Sequence, residues 1–412
     1  MIRITQRFPD TALHDVPAEV RKELRRPEIS GRIHKGMRVA LAVGSRGIDK
    51  LVPLVSALVA ELKEQGAEPF IVPAMGSHGG ATAEGQAALL AGLGITGESA
   101  GCPVVSSMET VELEKLANGL PVLMDANAMK ADGIIPLNRV KPHTGFSDVI
   151  ESGVTKMLSI GLGKHRGAAS CHALGYEHMG RNIVEMARIK LRKTPVLFGV
   201  ATVENAYDKV AKVVALLPED LIENERKLLV EAKANMPSIL FTPLDVLVVD
   251  RMGKEYSGTG MDPGITGRAN TPYVKTSQKT SRMVVLDLSD KSKGNAAGIG
   301  LADVTTRRLY NKIDLEATYI NHLTSTVLSG GMIPLIMEND CLAIQAALQT
   351  CNILNPEARR VVRIPNTLHL GEIYISESLR DEAEKNPDIS LLSEPREWEF
   401  DQAGNLGSLG AW

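Results

Sequence analysis

"GMRVALAVGSRGIDKLVPLVSALVAELKEQGAEPFIVPAMG", Gly36 to Gly76, decides the fold. "GMRVALAVG" is a short apolar run of the kind that forms a buried strand, and "DKLVPLVSALVAELKEQG" then follows with helical periodicity and a glycine stop. "AEPFIVPAMG" is a second apolar run, and "ATAEGQAALLAGLG" a second helix. Strand, helix, strand, helix at this spacing indicates βαβ units and a parallel sheet.

The pattern continues outward. Further strands are expected at "PVLMD", "DGIIPLN", "PVLFGVATV" and "KVAKVVALL", before a helix at "PEDLIENERKLLVEAKANMP". Pro237 ends that helix, and "LDVLVVDRMGKEYSGTG" starts a fresh α/β pattern, with a strand at "RMVVLDLS", helices near Leu315 to Thr326 and at "NDCLAIQAALQT", and late strands at "ARRVVRIPN" and "GEIYIS". The residues before "GMRVALAVG" read as an arm, and those after Lys385 as a polar surface tail. A chain of 412 residues exceeds the roughly 250 to 300 at which single cores stop growing. The expected architecture is therefore two α/β domains with an active-site cleft between them, residues 1–238 carrying the catalytic groups and residues 239–412 closing the cleft.

Composition narrows the function. The apolar fraction of 44% and charged fraction of 23% are those of an ordinary globular chain. A net charge of −3 with no Lys/Arg stripe argues against nucleic acid as a partner. No apolar stretch is long enough for a leader or a membrane span, so the reading is a cytoplasmic protein without a membrane partner. The four cysteines lie far apart, which suggests neither a disulfide framework nor a zinc knuckle.

In open α/β sheets, ligands gather where strands end and helices begin. That rule selects "VGSRGIDK", "AMGSHGGAT", "NRVKPHTGFSD" and "DRMGKEYSGTGMDPGITGR". His78 stands between Ser77 and two glycines just before a helix, a place suited to proton transfer beside an anion. His143 follows Pro142, which fixes one backbone dihedral next to it. Each alone is also explained as a loop histidine bonded to its neighbours; two in one sheet are harder to dismiss. "SGVTKMLSIGLGKHRGAASCH" starts like a helix, with Ser152 as N-cap and Lys156 one turn inside. His172 lies sixteen residues after Lys156, about four and a half turns, so a continuous helix would set them on opposite faces. If they share a ligand, the chain must break, and "GLGKHRG" supplies glycines for it. Burial frees a lysine amine for covalent chemistry, although a solvated helix lysine explains Lys156 as well. His165, His172 and His178 reproduce no compact metal signature. Arg46 and Arg268 could each clamp a carboxylate or phosphate, or be surface arginines. Unaided, the residues support an α/β enzyme acting on a small anion through histidine acid/base chemistry.

From about "VALAVGSRG" to "CHALG" the chain resembles the lactate racemase superfamily, the nickel-pincer-nucleotide-dependent hydroxyacid racemases and epimerases. "AMGSHGGATAEG" is similar to the loop carrying a catalytic histidine there, which would give that role to His78. "PHTGF" would supply the second, His143. "SGVTK" is similar to the segment whose lysine bonds the cofactor, which implies Lys156 as the tether with Ser152 and Gly153 beside it, and His172 stands at the offset of the nickel-ligating histidine. Arg46 in "VGSRG" matches the arginine of a cofactor loop. Departures are the missing acidic residue of that loop, Gly79 and Gly80 where the family has Arg and Pro, and three extra residues between His143 and Lys156. In the second domain, Lys254, Glu255 and Tyr256 occupy the loop corresponding to the family's substrate contacts, with Arg268 nearby.

The resemblance implies a nickel-pincer nucleotide, a Ni(II) pyridinium-3,5-bisthiocarboxylic acid mononucleotide tethered to Lys156, a ligand set whose softness suits Ni(II). It implies an isomerase that inverts a 2-hydroxyacid or sugar acid by proton-coupled hydride transfer, with the two histidines alternating as base and acid. A small hydroxyacid and cofactor-synthesis proteins are the implied partners. The departures point to a substrate larger than lactate or differently charged. Two readings compete with it, a metal- or lysine-dependent hydrolase or aldolase and a non-catalytic anion-binding homologue; for assembly, a homo-oligomer is open.

Overall fold

Strand Arg38–Val43 sends Val39, Leu41 and Val43 into one hydrophobic cluster and Ala40 and Ala42 into another, as the two-residue repeat of a strand requires. The larger side chains meet Leu54, Val55, Leu58 and Leu62 of helix Leu51–Glu64. Burial of each such side chain contributes ~1.5–3 kcal/mol. The alanines share their cluster with Val154, Met157 and Leu158, and their small size lets helix Val154–Ser159 lie close to the sheet.

The structure is a computed structural model that describes residues 1–45, 47–407 and 409. It divides into two compact units, one of Asp10–Met236 and one of Met1–Pro9 with the chain from Pro237 onward. In the first unit the sheet has the order Glu68–Pro73, Arg38–Val43, Gly133–Arg139, Gly199–Glu204, Val210–Leu216. All neighbours are parallel except the last pair. From Arg38–Val43 the chain first builds toward one edge and then resumes with Gly133–Arg139 on the other side. Such a reversal opens a crevice at the carboxyl ends of the strands, where ligands bind. The loops after Val43, Pro73 and Arg139 all emerge at that end of the sheet.

Pro121–Asp125 is a strand, but it pairs antiparallel with Thr110–Lys115 in a separate ribbon and not in the parallel sheet. The second unit holds an eight-stranded sheet among the described residues, parallel from Leu335–Met337 through Val361–Ile364 and antiparallel beyond. The expected N-terminal arm is in fact strand Ile2–Gln6, paired with Glu372–Ile375 and Ile389–Leu391. Ile2 and Ile4 are fully buried there; five residues ahead of Pro9 are too short a run for their alternation to stand out. Among the described residues no helix is long and apolar enough to cross a membrane.

Candidate functional site

The turn after strand Glu68–Pro73 requires two glycines. Gly79 and Gly80 have φ of 67° and 64°, a region closed to most side chains. A Cβ on Gly79 would stand 2.7 Å from the Gln86 nitrogen. Thr82 then caps helix Ala83–Gly92 by accepting from the Gly85 N–H at 3.0 Å. These contacts leave the His78 side chain exposed, with Nδ1 in a short hydrogen bond to Ser45 Oγ from the loop after Val43.

His143 is held from behind. Its N–H donates to Oε2 of the buried Glu151 at 2.7 Å, while Glu151 Oε1 pairs with Lys233 at 2.5 Å. Its Nδ1 accepts from the Gly145 N–H at 3.0 Å, so the neutral ring carries its proton on Nε2. Lys141 and Ser152 close the loop by exchanging backbone hydrogen bonds of 3.0 and 3.2 Å. The residues in excess between His143 and Lys156 belong to this closed excursion.

Ser152 does not cap the helix of Lys156. The N-cap position falls on Gly153 without a side-chain bond, because the Ser152 backbone is committed to Lys141. A distant carboxylate takes over: Oε2 of the buried Glu225 accepts from the Thr155 N–H at 2.9 Å. A Cβ on Gly153 would meet Glu225 Oε1 at 2.3 Å, which accounts for that glycine. At the other end, fully buried Lys190 donates to the carbonyls of Leu158 and Ser159 at 2.6 and 3.1 Å. An anion at the N-terminus and a cation at the C-terminus both favour the helix dipole. Burial has its own consequence, raising Glu225 to about 7 against the pull of the Thr155 bonds, and lowering Lys190 to about 7.

The break between Lys156 and His172 is present. The first helix ends at Ser159, a tight turn covers Gly161–Gly163, and a second helix runs Lys164–His172. The left-handed residue at the junction is Lys164, φ 56°, and not one of the glycines. Gly161 instead allows close approach to the His78 loop: its Cβ would meet the Ala74 carbonyl oxygen at 2.6 Å, and its own carbonyl accepts from the Gly76 N–H at 3.3 Å.

Three loops meet at Tyr176. Its ring lies 6.1 Å from that of His143 and 5.6 Å, edge-on, from that of His172, and a Cβ on Gly145 would stand 2.4 Å from its Cε1. Burial, then the positive charge of Lys156, lowers His172 to about 4. That places Lys156 within electrostatic reach of a histidine whose imidazole is neutral at ordinary pH. His143, Lys156 and His172 therefore gather in one region, and the backbone of the His78 loop reaches the Lys156 segment at the Gly76–Gly161 hydrogen bond.

Arg46 lies outside the described residues. In the second unit, Arg268 donates to the Thr280 and Ser281 carbonyls and pairs with Asp303 at 2.8 Å, which gives its guanidinium a structural role. Lys254 donates to Gly258 O and Asn321 Oδ1. Tyr256 is buried edge-on to His369, with centroids 6.2 Å apart. Sequence reasoning overlooked Ser45, Gln86, Glu151, Tyr176, Lys190 and Glu225. Glu225 carried a signal, standing on the buried stripe Leu221, Leu228, Leu229 and Ala232 of its helix. No group of three or more His, Cys, Asp or Glu positioned for a metal occurs among the described residues.

Residues 6–182 match the family described as the lactate racemase N-terminal domain. Among solved structures, the lactate racemase apoprotein from Thermoanaerobacterium thermosaccharolyticum is similar, with a TM-score of 0.53 at 12% identity, covering 89% of this chain and 98% of that one. At that identity the likeness bears on the α/β fold. No curated protein matches the chain.

Proposed function

The chain belongs to the lactate racemase superfamily through its N-terminal domain, and on that premise we propose that it is an isomerase that inverts the hydroxyl-bearing carbon of a 2-hydroxyacid or sugar acid. The observation that carries the reading is the meeting of His143 and His172 on Tyr176, with the charge of Lys156 acting on His172.

The residues fit a tethered nickel-pincer nucleotide. A metal held chiefly by the sulfur and carbon donors of its own cofactor needs one protein ligand. His172 offers a neutral imidazole nitrogen as that ligand, Lys156 an amine on a helix fixed at both ends. Ser152 and Gly153, just ahead of the Lys156 helix, and Arg46 would hold the anionic part of the nucleotide or substrate. When bound, the cofactor supplies a reversible acceptor for hydride from the carbinol carbon.

The chain's own groups manage the proton. His143 exchanges it at Nε2, since Nδ1 accepts from Gly145. His78, steadied at Nδ1 by Ser45, presents Nε2 on the other side of the reaction. Each serves as base in one direction and acid in the other.

Co-expression with cofactor-synthesis proteins tests the proposal. The expected results are one nickel per chain, a mass increase on the peptide containing Lys156, and inversion of a hydroxyacid or sugar acid by chiral analysis. Full isomerase activity in protein without nickel and nucleotide would refute it, and borohydride trapping of a substrate imine on Lys156 would favour the lysine-dependent alternative.

A further inference from the structure

Beneath the His78 loop lies a chain of fully buried polar side chains. Gln86, on the first turns of helix Ala83–Gly92, donates through Nε2 to the carbonyls of Gly76 at 2.9 Å and His78 at 3.2 Å. Its Oε1 accepts from Lys164 Nζ at 3.4 Å. Lys164 also donates to the Pro73 carbonyl at 2.5 Å and pairs with Asp125 Oδ2 at 2.9 Å. Asp125 Oδ1 in turn accepts from the Ala128 N–H at 2.8 Å. Gln86, Lys164 and Asp125 all have no exposed surface.

The chemistry of the groups makes this chain directional. An ammonium has three donors and no acceptor, and Lys164 directs them to Pro73, Asp125 and Gln86. Gln86 must therefore turn its oxygen to Lys164, which aims its two N–H groups at the loop carbonyls. Lys164 is also the left-handed residue that separates the Lys156 helix from the helix ending at His172. A buried ion pair is a poor source of net stability, because desolvation offsets its Coulomb attraction. What it supplies here is orientation, and it ties the histidine loop to the break between the other two site residues.

We propose that Gln86, oriented by the Lys164–Asp125 pair, is a positioning residue for His78: its amide fixes the carbonyls of Gly76 and His78 and so sets the imidazole relative to the Lys156 and His172 helices. The proposal rests on the role assigned to His78 above, but its first readouts do not depend on that role.

The test compares wild type with Q86E and Q86M in the full-length protein. Q86E keeps the volume and an acceptor for Lys164 but loses the donors; Q86M loses both. The expected result is at least tenfold faster hydrogen exchange of the Gly76, His78 and Ala81 amides in both variants, with the amides of strand Arg38–Val43 unchanged. The His78 ring should lose its hydrogen bond to Ser45, read as a change in the ring nitrogen shifts of labelled histidine. In cofactor-loaded protein, kcat should fall tenfold or more with KM nearly constant. Should either single variant fail to fold, the double variant K164M/D125L removes the orienting pair without stranding a charge, and the same loop effects are expected in it. Loop exchange and His78 ring nitrogen shifts indistinguishable from wild type in the folded variants would overturn the proposal. Absence of isomerase activity in loaded wild type, with the loop effects intact, would strike the functional assignment and leave the positioning role standing.

Discussion

Glu225 allows a sharp test of how the Lys156 helix is held. Two effects oppose each other at this carboxylate. A helix N-terminus and a donated N–H favour the ionised form, by roughly 0.3–2 kcal/mol for the dipole. Full burial favours the protonated form, and Oε1 has no hydrogen-bond partner among the described residues. Desolvation of a buried carboxyl can shift it by up to ~3–5 units, so burial wins and Glu225 rises from 4.5 to about 7. Between those two values the folded protein retains a proton that the unfolded chain has released. Stability must therefore fall as pH rises through that window and level off above it. At 1.36 kcal/mol per unit the whole effect is about 3 kcal/mol.

Glu225→Gln makes the site neutral at every pH while keeping an oxygen for the Thr155 N–H. The quantity to measure is the difference in unfolding free energy between wild type and E225Q, from urea titrations between pH 4.5 and 8, so that other ionisable groups cancel. Near pH 4.5 the two should agree to about 1 kcal/mol, one neutral hydrogen bond replacing another. By pH 8 the variant should be the more stable by about 3 kcal/mol, roughly 6 to 12 °C in melting temperature for a unit of this size. A difference that stays flat, or that moves in favour of wild type as pH rises, would show that the ionised cap dominates and that the burial argument is wrong.

At the other end of the helix the slope is reversed. Lys190 is lowered from 10.5 to about 7 by burial, so wild type should gain stability relative to K190M as pH rises from 7 towards 10.5; urea titrations over that range check it. His172, lowered to about 4 by burial and then by Lys156, should remain neutral at pH 5.5 in cofactor-free protein, and an NMR midpoint near 6.5 would contradict that. Gly145→Ala should displace the Tyr176 ring, since the new Cβ would lie 2.4 Å from Cε1; the expected cost is ~1–3 kcal/mol of stability from overpacking with a larger proportional loss of nickel retention, measured by metal analysis after dialysis.

The framework of the first unit was legible because its strands are short apolar runs separated by amphipathic helices, the pattern that βαβ packing imposes. The strand-end rule selected the loops of His78 and His143, and both do follow strands of the parallel sheet; the glycine cluster foretold the helix break. Three features stayed hidden for physical reasons. Pro121–Asp125 has the composition of a sheet strand, and nothing local distinguishes a separate ribbon from the main sheet. The left-handed turn uses Lys164, whose strain is offset by buried partners far away in sequence. Ser152 has the chemistry of a cap, but only the fold reveals that its backbone is engaged elsewhere. Tyr176 gave no periodic signal, since its role is set by its position between two loops.

The buried charges have a common cause. A helix of six residues, Val154–Ser159, is far below the ~12–15 residues at which an isolated helix becomes even marginal in water, and no propensity in "VTKMLS" compensates for that. Its place must be imposed from outside. Apolar packing on Ala40 and Ala42 fixes its distance from the sheet, yet packing alone permits sliding and rotation. Hydrogen-bonding groups at its two ends remove that freedom, because Glu225 and Lys190 form their bonds only in one axial register. A lysine with the tethering role proposed for Lys156 would need such register more than the fold needs the stability. Buried ionisable groups that cost the fold desolvation energy are therefore expected beneath this helix, and such residues on the apolar stripes of the two flanking helices, Leu221–Ala234 and Met179–Lys193, are the sequence trace they leave.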